Sequence, residues 1–405
     1  MTEDAERIVV LREHGPWTDV MIDPAAGRTL ATTDLVDARP DPHTPGDPRR
    51  WQVRARSKVG TVRIGGVQLT ITPKLAVRRL FFLLGYALDP GAHWGHGDGD
   101  VLVGGHDDLL PAIAHAFERQ TERALRRGLL QGYQHTEDAL SVLRGRIRES
   151  EQMRRRYGIP VPVEVGFDEY TVDIPENRLL LAAVDRLVRL PGISGDIRGR
   201  LLRLRRRLDG VDCLRRGAPL PEWAPSRLNK RYVPALRLAE LILREASIEQ
   251  RGTDTAVSGF LLDLAKVFED FVSMALREAL RPLGGRCRFQ AHHHLDEAAA
   301  VLLKPDLVWY DDAGRPLGVA DAKYKAEKEK EGHPNADLYQ MLAYCTVLGL
   351  PSGHLVYAQG RAPMASHRVR EAGVVITRHG LDLDQDPTVV LAGMARIAEH
   401  VAGAQ

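Results

Sequence analysis

Lys304-Pro305-Asp306-Leu307-Val308-Trp309-Tyr310-Asp311-Asp312-Ala313-Gly314-Arg315-Pro316-Leu317-Gly318-Val319-Ala320-Asp321-Ala322-Lys323 decides how the last third of this 405-residue chain folds. Two strand candidates, residues 306–310 and 317–323, flank the turn Asp311-Asp312-Ala313-Gly314, whose residue types favour tight reversal. Alternation along a strand puts Asp321 and Lys323 on one face and turns Ala322 away. A hairpin also brings Asp306 to the end of the sheet where Asp321 lies. Two carboxylates there can hold a hard divalent cation through oxygen, which suits Mg²⁺, with Mn²⁺ as the alternative. Such a cation would lower the pKa of a bound water and neutralise charge growing on a scissile phosphate. Lys323 would orient that water or stabilise the transition state as a point charge.

The neighbouring segments extend the constellation. Glu269 stands in the apolar run Val267-Phe268-Glu269-Asp270-Phe271-Val272. It is either a solvent-facing charge on an amphipathic helix or a third carboxylate directed at the metal. Gln340 and Tyr344, four apart on a helix expected over residues 337–348, share one face with Cβ atoms about 6 Å apart. They can reach a phosphate or a cation-bound water. D-x-K alone arises by chance on the order of once per chain. The ordered set of helical Glu, Pro-Asp, D-x-K and Q-x-x-x-Y is far more specific than any of its parts. The bland reading is a set of surface charges on an ordinary α/β sandwich.

Working outward, residues 251–405 read as helix 258–280, strands near 287–292, 306–310 and 317–323, helix 337–348 and strand 353–358. That order describes an α/β sandwich. Residues 1–100 are β-rich, with strand candidates at 7–13, 51–55, 59–64 and 67–71. A proline-rich loop spans 39–50, and a short buried helix 77–87. Residues 101–250 form a helical middle region, with helices expected at 109–130, 177–190, 196–208 and 232–246 and one short strand at 161–167. The fold class is therefore α+β and multidomain. A piece of about residues 1–250 is expected to have a core of its own and to contact a partner.

Composition narrows the function classes. The 44% apolar content supports real cores, and a formal net charge of +2 neither demands nor forbids a nucleic-acid partner. Cys213, Cys287 and Cys345 are far apart and form no C-x-x-C pair, which argues against a disulfide framework or zinc ribbon. Met1-Thr2-Glu3-Asp4 lacks the character of a signal peptide, and the longest apolar run, residues 80–88, is about half a bilayer span. A cytoplasmic protein with no membrane contact is expected.

The constellation resembles the PD-(D/E)xK nuclease superfamily, in the branch carrying a Q-x-x-x-Y helix. Further motifs narrow the likeness: Val59-Gly60-Thr61-Val62 with Ile71-Thr72-Pro73-Lys74-Leu75; Leu143-Arg144-Gly145-Arg146-Ile147; Asp173-Ile174-Pro175-Glu176-Asn177-Arg178-Leu179-Leu180; and Arg227-Leu228-Asn229-Lys230-Arg231-Tyr232. In this order they resemble the McrC family, the nuclease subunit of McrBC-type 5-methylcytosine restriction systems. The likeness runs from about residue 50 to the C-terminus and leaves residues 1–50 unmatched. It implies a C-terminal PD-(D/E)xK nuclease domain, with Asp306, Asp321, Lys323 and Glu269 as catalytic set. Asp306, Asp321 and Glu269 would be the metal ligands, with Gln340 and Tyr344 in support. It also implies double-stranded, methylated DNA as substrate and an McrB-like AAA+ GTPase hexamer as partner, with the GTPase stimulated by this chain. The chain itself has no G-x-x-x-x-G-K-[ST], so translocation would be powered by that partner.

Two arginine clusters, 144–156 and 198–207, suit a phosphate backbone, with Arg144, Arg146, Arg203 and Arg206 as DNA-binding candidates. The plainer reading is a solvated face with acidic partners, and the first cluster could instead face the GTPase. His292-His293-His294 reads as polar strand surface rather than a metal site, because consecutive residues alternate faces. Asp173 or Pro175 suits a helix start, and the charged run 323–331 a loop beside the site. Two other function classes stay open: a non-catalytic adaptor that activates a motor, and a stand-alone repair nuclease.

Overall fold

The computed structural model describes residues 7–32, 35–44, 46–64, 66–90, 108–215, 217–245, 257–324, 335–358 and 364–403. It is a mixed α+β protein that divides into two compact units, residues 1–112 with 249–405, and residues 113–248. The three regions read from the sequence therefore do not each stand alone: the β-rich beginning and the end of the chain share one unit.

The reason lies in one strand. Residues 258–263 were expected as the first turns of a helix, because Phe260-Leu261-Leu262 runs without a break into the apolar helix that follows. They instead form β10 (Val257–Asp263), antiparallel to β5 (Lys58–Ile64) with Phe260 opposite Thr61. β10 completes a sheet of order β1-β6-β5-β10, in which β1 (Arg7–Arg12) lies parallel to β6 (Val67–Thr72). Gly60, at φ +131, makes the pairing possible, since a Cβ there would meet the Phe260 carbonyl oxygen at 2.2 Å. Phe260, Leu261 and Leu262 are at most 2% exposed. Asp263 then caps α8 (Leu264–Leu280), its carboxylate accepting from the Ala265 N–H. Phe271 of α8 packs edge-on against Phe82 of α2 (Val77–Leu88) at 5.6 Å between ring centroids.

The described residues among the first fifty hold more regular structure than their composition suggests. α1 (Pro24–Thr32), β2 (Thr18–Met21) and β3 (Asp37–Pro40) were missed, and β2 and β3 flank β4 (Arg50–Arg54) in a three-stranded sheet.

The C-terminal part of this unit is built on a six-stranded mixed sheet. Its order is β11 (Arg286–Phe289), β14 (Leu307–Tyr310), β15 (Pro316–Lys323), β16 (Ser352–Tyr357), β18 (Val375–Gly380), β17 (Ala365–Arg368). One face carries α9 (Asn335–Leu348), whose Met341, Tyr344, Cys345 and Leu348 pack with Val308, Val319, Leu355 and Ile376. Gly353 admits α9 to this face, since any Cβ there would come within 2.4 Å of the Met341 sulfur. α8 and α10 (Pro387–Val401) pack against each other and against β15. Tyr324 meets Phe268 of α8, and His379 of β18 meets His400 of α10. The histidine tract yields only the short strand β12 (His293–His294), paired with β13 (Leu302–Leu303). His293 Nε2 lies 3.1 Å from the Tyr310 hydroxyl. The loop expected beside the site, residues 325–331, lies outside the described residues.

The second unit is helical but not only helical. α3 (Leu109–Leu125), α4 (Glu149–Arg156), α5 (Pro175–Arg189), α6 (Gly195–Arg207) and α7 (Val233–Glu245) accompany a sheet of order β7-β9-β8. β9 (Val163–Thr171) pairs along its whole length with β7 (Gly132–Leu140), a strand the sequence hides: Gln134, His135, Thr136, Glu137 and Asp138 carry no apolar alternation. β8 (Arg146–Ile147) pairs on the other side of β9. Pro175 opens α5 as expected, whereas Asp173 does not cap it but pairs with Arg178 and accepts from the Asp212 N–H. Asn177, fully buried, donates to the Leu130 and Val172 carbonyls at 2.8 and 2.6 Å, so this motif ties the unit together from inside.

Candidate active site

Register brings the chemistry together. Leu307 pairs with Ala320 across β14 and β15, so one more step sets Asp306 opposite Asp321. Phe289 pairs with Leu307 across β11 and β14, and the Gln290 N–H then donates to the Asp306 carbonyl at 3.2 Å. Gln290, Asp306 and Asp321 are thus neighbours on three adjacent strand ends. Asp306 Oδ2 accepts from the Ala322 N–H at 2.7 Å, supplying the acceptor that the shorter neighbouring strand does not offer.

The two aspartates sit in a hostile environment. They are 8% and 3% exposed. Burial raises the Asp306 pKa above the usual carboxylate range, and the charges of Asp321 and Glu269 push it further. Asp321 is raised chiefly by burial, against the pull of Lys323. Its Oδ2 forms an ion pair with Lys323 Nζ but receives no well-aligned hydrogen bond. Lys323 Nζ also donates to Gln340 Oε1 at 2.9 Å, and Gln340 Nε2 donates to the Tyr344 hydroxyl at 2.7 Å. The expected Q-x-x-x-Y face therefore meets the D-x-K strand through one continuous chain of hydrogen bonds. Burial and the two aspartate charges raise the Tyr344 pKa, so this phenol stays protonated.

Glu269 comes from α8. Its Oε1 accepts from Lys266 Nζ at 2.8 Å and from Gln290 Nε2, and Gln290 Nε2 also donates to Asp306 Oδ1 at 2.7 Å. Glu269 thus reaches the cluster through an intervening amide. Gln290 and Asp337 were missed by the sequence reading. A lone glutamine after a strand carries no chemical signal. Asp337 looks like an ordinary first-turn acid, yet it is 4% exposed, accepts from the Tyr357 hydroxyl at 3.1 Å and lies close enough to raise the Asp321 pKa.

Among the described residues, no three His, Cys, Asp or Glu side chains are grouped to hold a metal ion together. Asp306 and Asp321 form a two-carboxylate set whose mutual repulsion a cation would relieve. Mg²⁺ commonly takes one or two carboxylates and fills its other positions with water and substrate phosphate, so this donor set fits it.

The four arginines proposed for DNA lie in the second unit. Arg144 sits over the Phe167 ring at 4.2 Å and 3.7 Å from Glu169; Arg146, Arg203 and Arg206 are exposed. No described helix is long and apolar enough to cross a membrane.

A family model described as McrBC 5-methylcytosine restriction system component matches residues 53–358. The chain also resembles a chain in a structure described as a refined half-complex from a tetradecameric assembly of Thermococcus gammatolerans McrB AAA+ hexamers with bound McrC. The TM-score is 0.57 at 19% identity, over 97% of this chain and 100% of that one, a likeness of fold. A second Thermococcus gammatolerans structure, described as a McrBC complex, matches at TM-score 0.41 and 20% identity, over 67% of this chain and 88% of that one. No curated protein matches the chain.

Proposed function

Because this chain belongs to the McrBC 5-methylcytosine restriction system component family, we propose that it is the Mg²⁺-dependent endonuclease subunit of a modification-dependent restriction complex. In this reading the C-terminal sheet is a PD-(D/E)xK nuclease domain, and the chain works with an McrB-like AAA+ GTPase hexamer that it stimulates. The observation that carries the reading is Asp306 set opposite Asp321, with Lys323 beside them, at a buried sheet end. Two like charges so placed are costly unless something uses them. The related assembly of McrB AAA+ hexamers with bound McrC supports the choice of partner.

Asp306 and Asp321 would hold the Mg²⁺, which when bound supplies Lewis-acid polarisation of a scissile phosphate. Lys323, held between Asp321 and Gln340, keeps its ammonium at the place where phosphoryl negative charge develops. Tyr344 fixes the Gln340 amide by accepting from it, so the lysine is positioned rather than free to sweep. Lys266 pairs with both Glu269 and Asp270 on α8 and offsets one of their two negative charges, which lowers the acidic charge the substrate phosphate would meet.

The test is cleavage of methylated duplex DNA by the chain reconstituted with its AAA+ partner, GTP and Mg²⁺, using Asp321→Ala and Lys323→Ala. Loss of cleavage with partner GTPase stimulation retained is expected. Cleavage at the parent rate would move the reaction centre away from this sheet end, and cutting by the isolated chain without nucleotide would favour a stand-alone nuclease.

A further inference from the structure

We infer that Gln290 is a built-in place-holder for the cation: its amide nitrogen, lying between Glu269 and Asp306, engages Oδ1 of Asp306, one of the two carboxylates that would hold the metal, and a divalent ion would take that oxygen by displacing it. The inference rests on the metal-centre reading above and adds a residue to it. Gln290 Nε2 donates to two carboxylates at once, Asp306 Oδ1 at 2.7 Å and Glu269 Oε1. With acceptors on both sides the nitrogen must face them, so the amide orientation is settled by chemistry. A neutral NH₂ cannot cancel two negative charges, but it is the uncharged group best able to fill the space between them.

Both Asp306 oxygens are engaged: Oδ2 takes the backbone N–H of Ala322 in β15, and Oδ1 takes the Gln290 amide. Of the two donors, the side-chain amide can leave by rotating, whereas the Ala322 N–H is fixed in β15. A cation that takes Oδ1 therefore competes with Gln290, and a half-turn of the amide would then present Oε1 as a neutral oxygen ligand. That would supply the third protein oxygen which grouped acidic side chains alone do not provide among the described residues. The backbone is shaped for this task as well. Gln290 sits at φ +50, a left-handed conformation that side-chain-bearing residues adopt at a cost, directly after the last residue of β11.

The experiment uses the full chain with Mn²⁺ as probe, followed by thermal unfolding with and without the ion and by titration of its bound signal. Gln290→Asn tolerates the left-handed backbone but is one methylene too short to bridge. Gln290→Glu keeps the length and places a carboxylate where the amide was. Both variants are expected to unfold at lower temperature than the parent without cation, and to gain more from Mn²⁺ than the parent does. Gln290→Glu should bind Mn²⁺ about 10-fold more tightly, because ligand charge sets affinity at such oxygen sites. Asp321→Asn should remove the Mn²⁺ response of the parent. If the parent responds and loses the response in Asp321→Asn, while both Gln290 variants respond as the parent does, Gln290 is merely structural and this inference falls alone. If the parent binds no Mn²⁺, the metal-centre reading falls and takes this one with it.

Discussion

At the sheet end where Gln290, Asp306 and Asp321 line up, two carboxylates of like sign are 8% and 3% exposed. Along α6 of the other unit, Arg200, Arg205 and Arg207 stand at the surface, each against an acid of its own. Arg200 pairs with Asp196, Arg205 with Asp185 at 2.7 Å, and Arg207 with Glu122 at 2.7 Å. The arginine run is the louder signal in the sequence, and the folded chain pairs half of its six arginines, Arg200, Arg205 and Arg207, with acids. The aspartates are quiet in the sequence, and folding leaves them short of positive charge. Buried imbalance, not density of charge, marks a place where binding a cation can return free energy.

The largest expected effect comes from ending the chain at residue 250. That cut spares residues 113–248 but removes β10 from the sheet of β1, β6 and β5. Burying Phe260, Leu261 and Leu262 contributes roughly 1.5–3 kcal/mol each, together comparable with the roughly 5–15 kcal/mol that stabilises a whole domain. The 1–250 piece read from the sequence as self-sufficient should therefore lose its N-terminal sheet. Limited proteolysis should cut first within residues 7–72 and spare α5 and α7. Equal protection of both parts would mean that the sheet closes without β10.

Next in size is the site itself. Asp321→Ala or Lys323→Ala in the reconstituted complex should slow cleavage by at least ~10²–10³-fold, the usual cost of removing one preorganised charge stabiliser. Without cation, Asp321→Ala should change thermal stability little or raise it, since a strained charge has gone, whereas Lys323→Ala should lower it by leaving buried Asp321 without its ion pair. A tenfold or smaller loss in rate would move the reaction centre away from this sheet end.

A third test sharpens the contrast using buried groups that stay neutral. His354 and His379, 3% and 5% exposed, share a hydrogen bond at 3.0 Å. Burial first, and neighbouring histidine charge second, lowers their pKa values to about 3 and about 4. Unfolded histidine takes up its proton near pH 6.5, so the unfolded chain binds more protons below that pH. The pair's stability is thus present above pH 6.5 and lost as pH falls from there towards 4, at about 1.4 kcal/mol per pH unit per group. Chemical unfolding of the parent should weaken across this window by more than that of His379→Gln. Parallel curves would show that these imidazoles titrate as exposed ones do.

The smallest effects belong to α6. Arg205→Ala breaks a solvent-exposed pair and should cost under about 1 kcal/mol. Replacing Arg203 and Arg206 together should leave unfolding unchanged. If these two meet phosphates, the salt dependence of DNA binding by the complex should fall in slope by about two. An unchanged slope would remove them from the DNA interface.

Several elements were legible from local pattern alone. α9, β14 and β15 fall within a residue or two of their expected bounds, and the spacings within D-x-K and Q-x-x-x-Y placed Asp321 with Lys323 and Gln340 with Tyr344 before any contact was known. Period-two and period-3.6 geometry acts within one element, so the sequence carries it. By itself it also determined the α+β class and the family. What it could not decide was pairing between distant segments. The start of the apolar run 258–280 is strand only because β5, some two hundred residues earlier, offers it an edge. Gln290 joins the site only because β11 ends beside Asp306 in this register. Asp337 is buried only because α9 closes over Tyr357. Free energies of burial and of strand pairing belong to pairs of segments, and only the tertiary structure says which pairs meet.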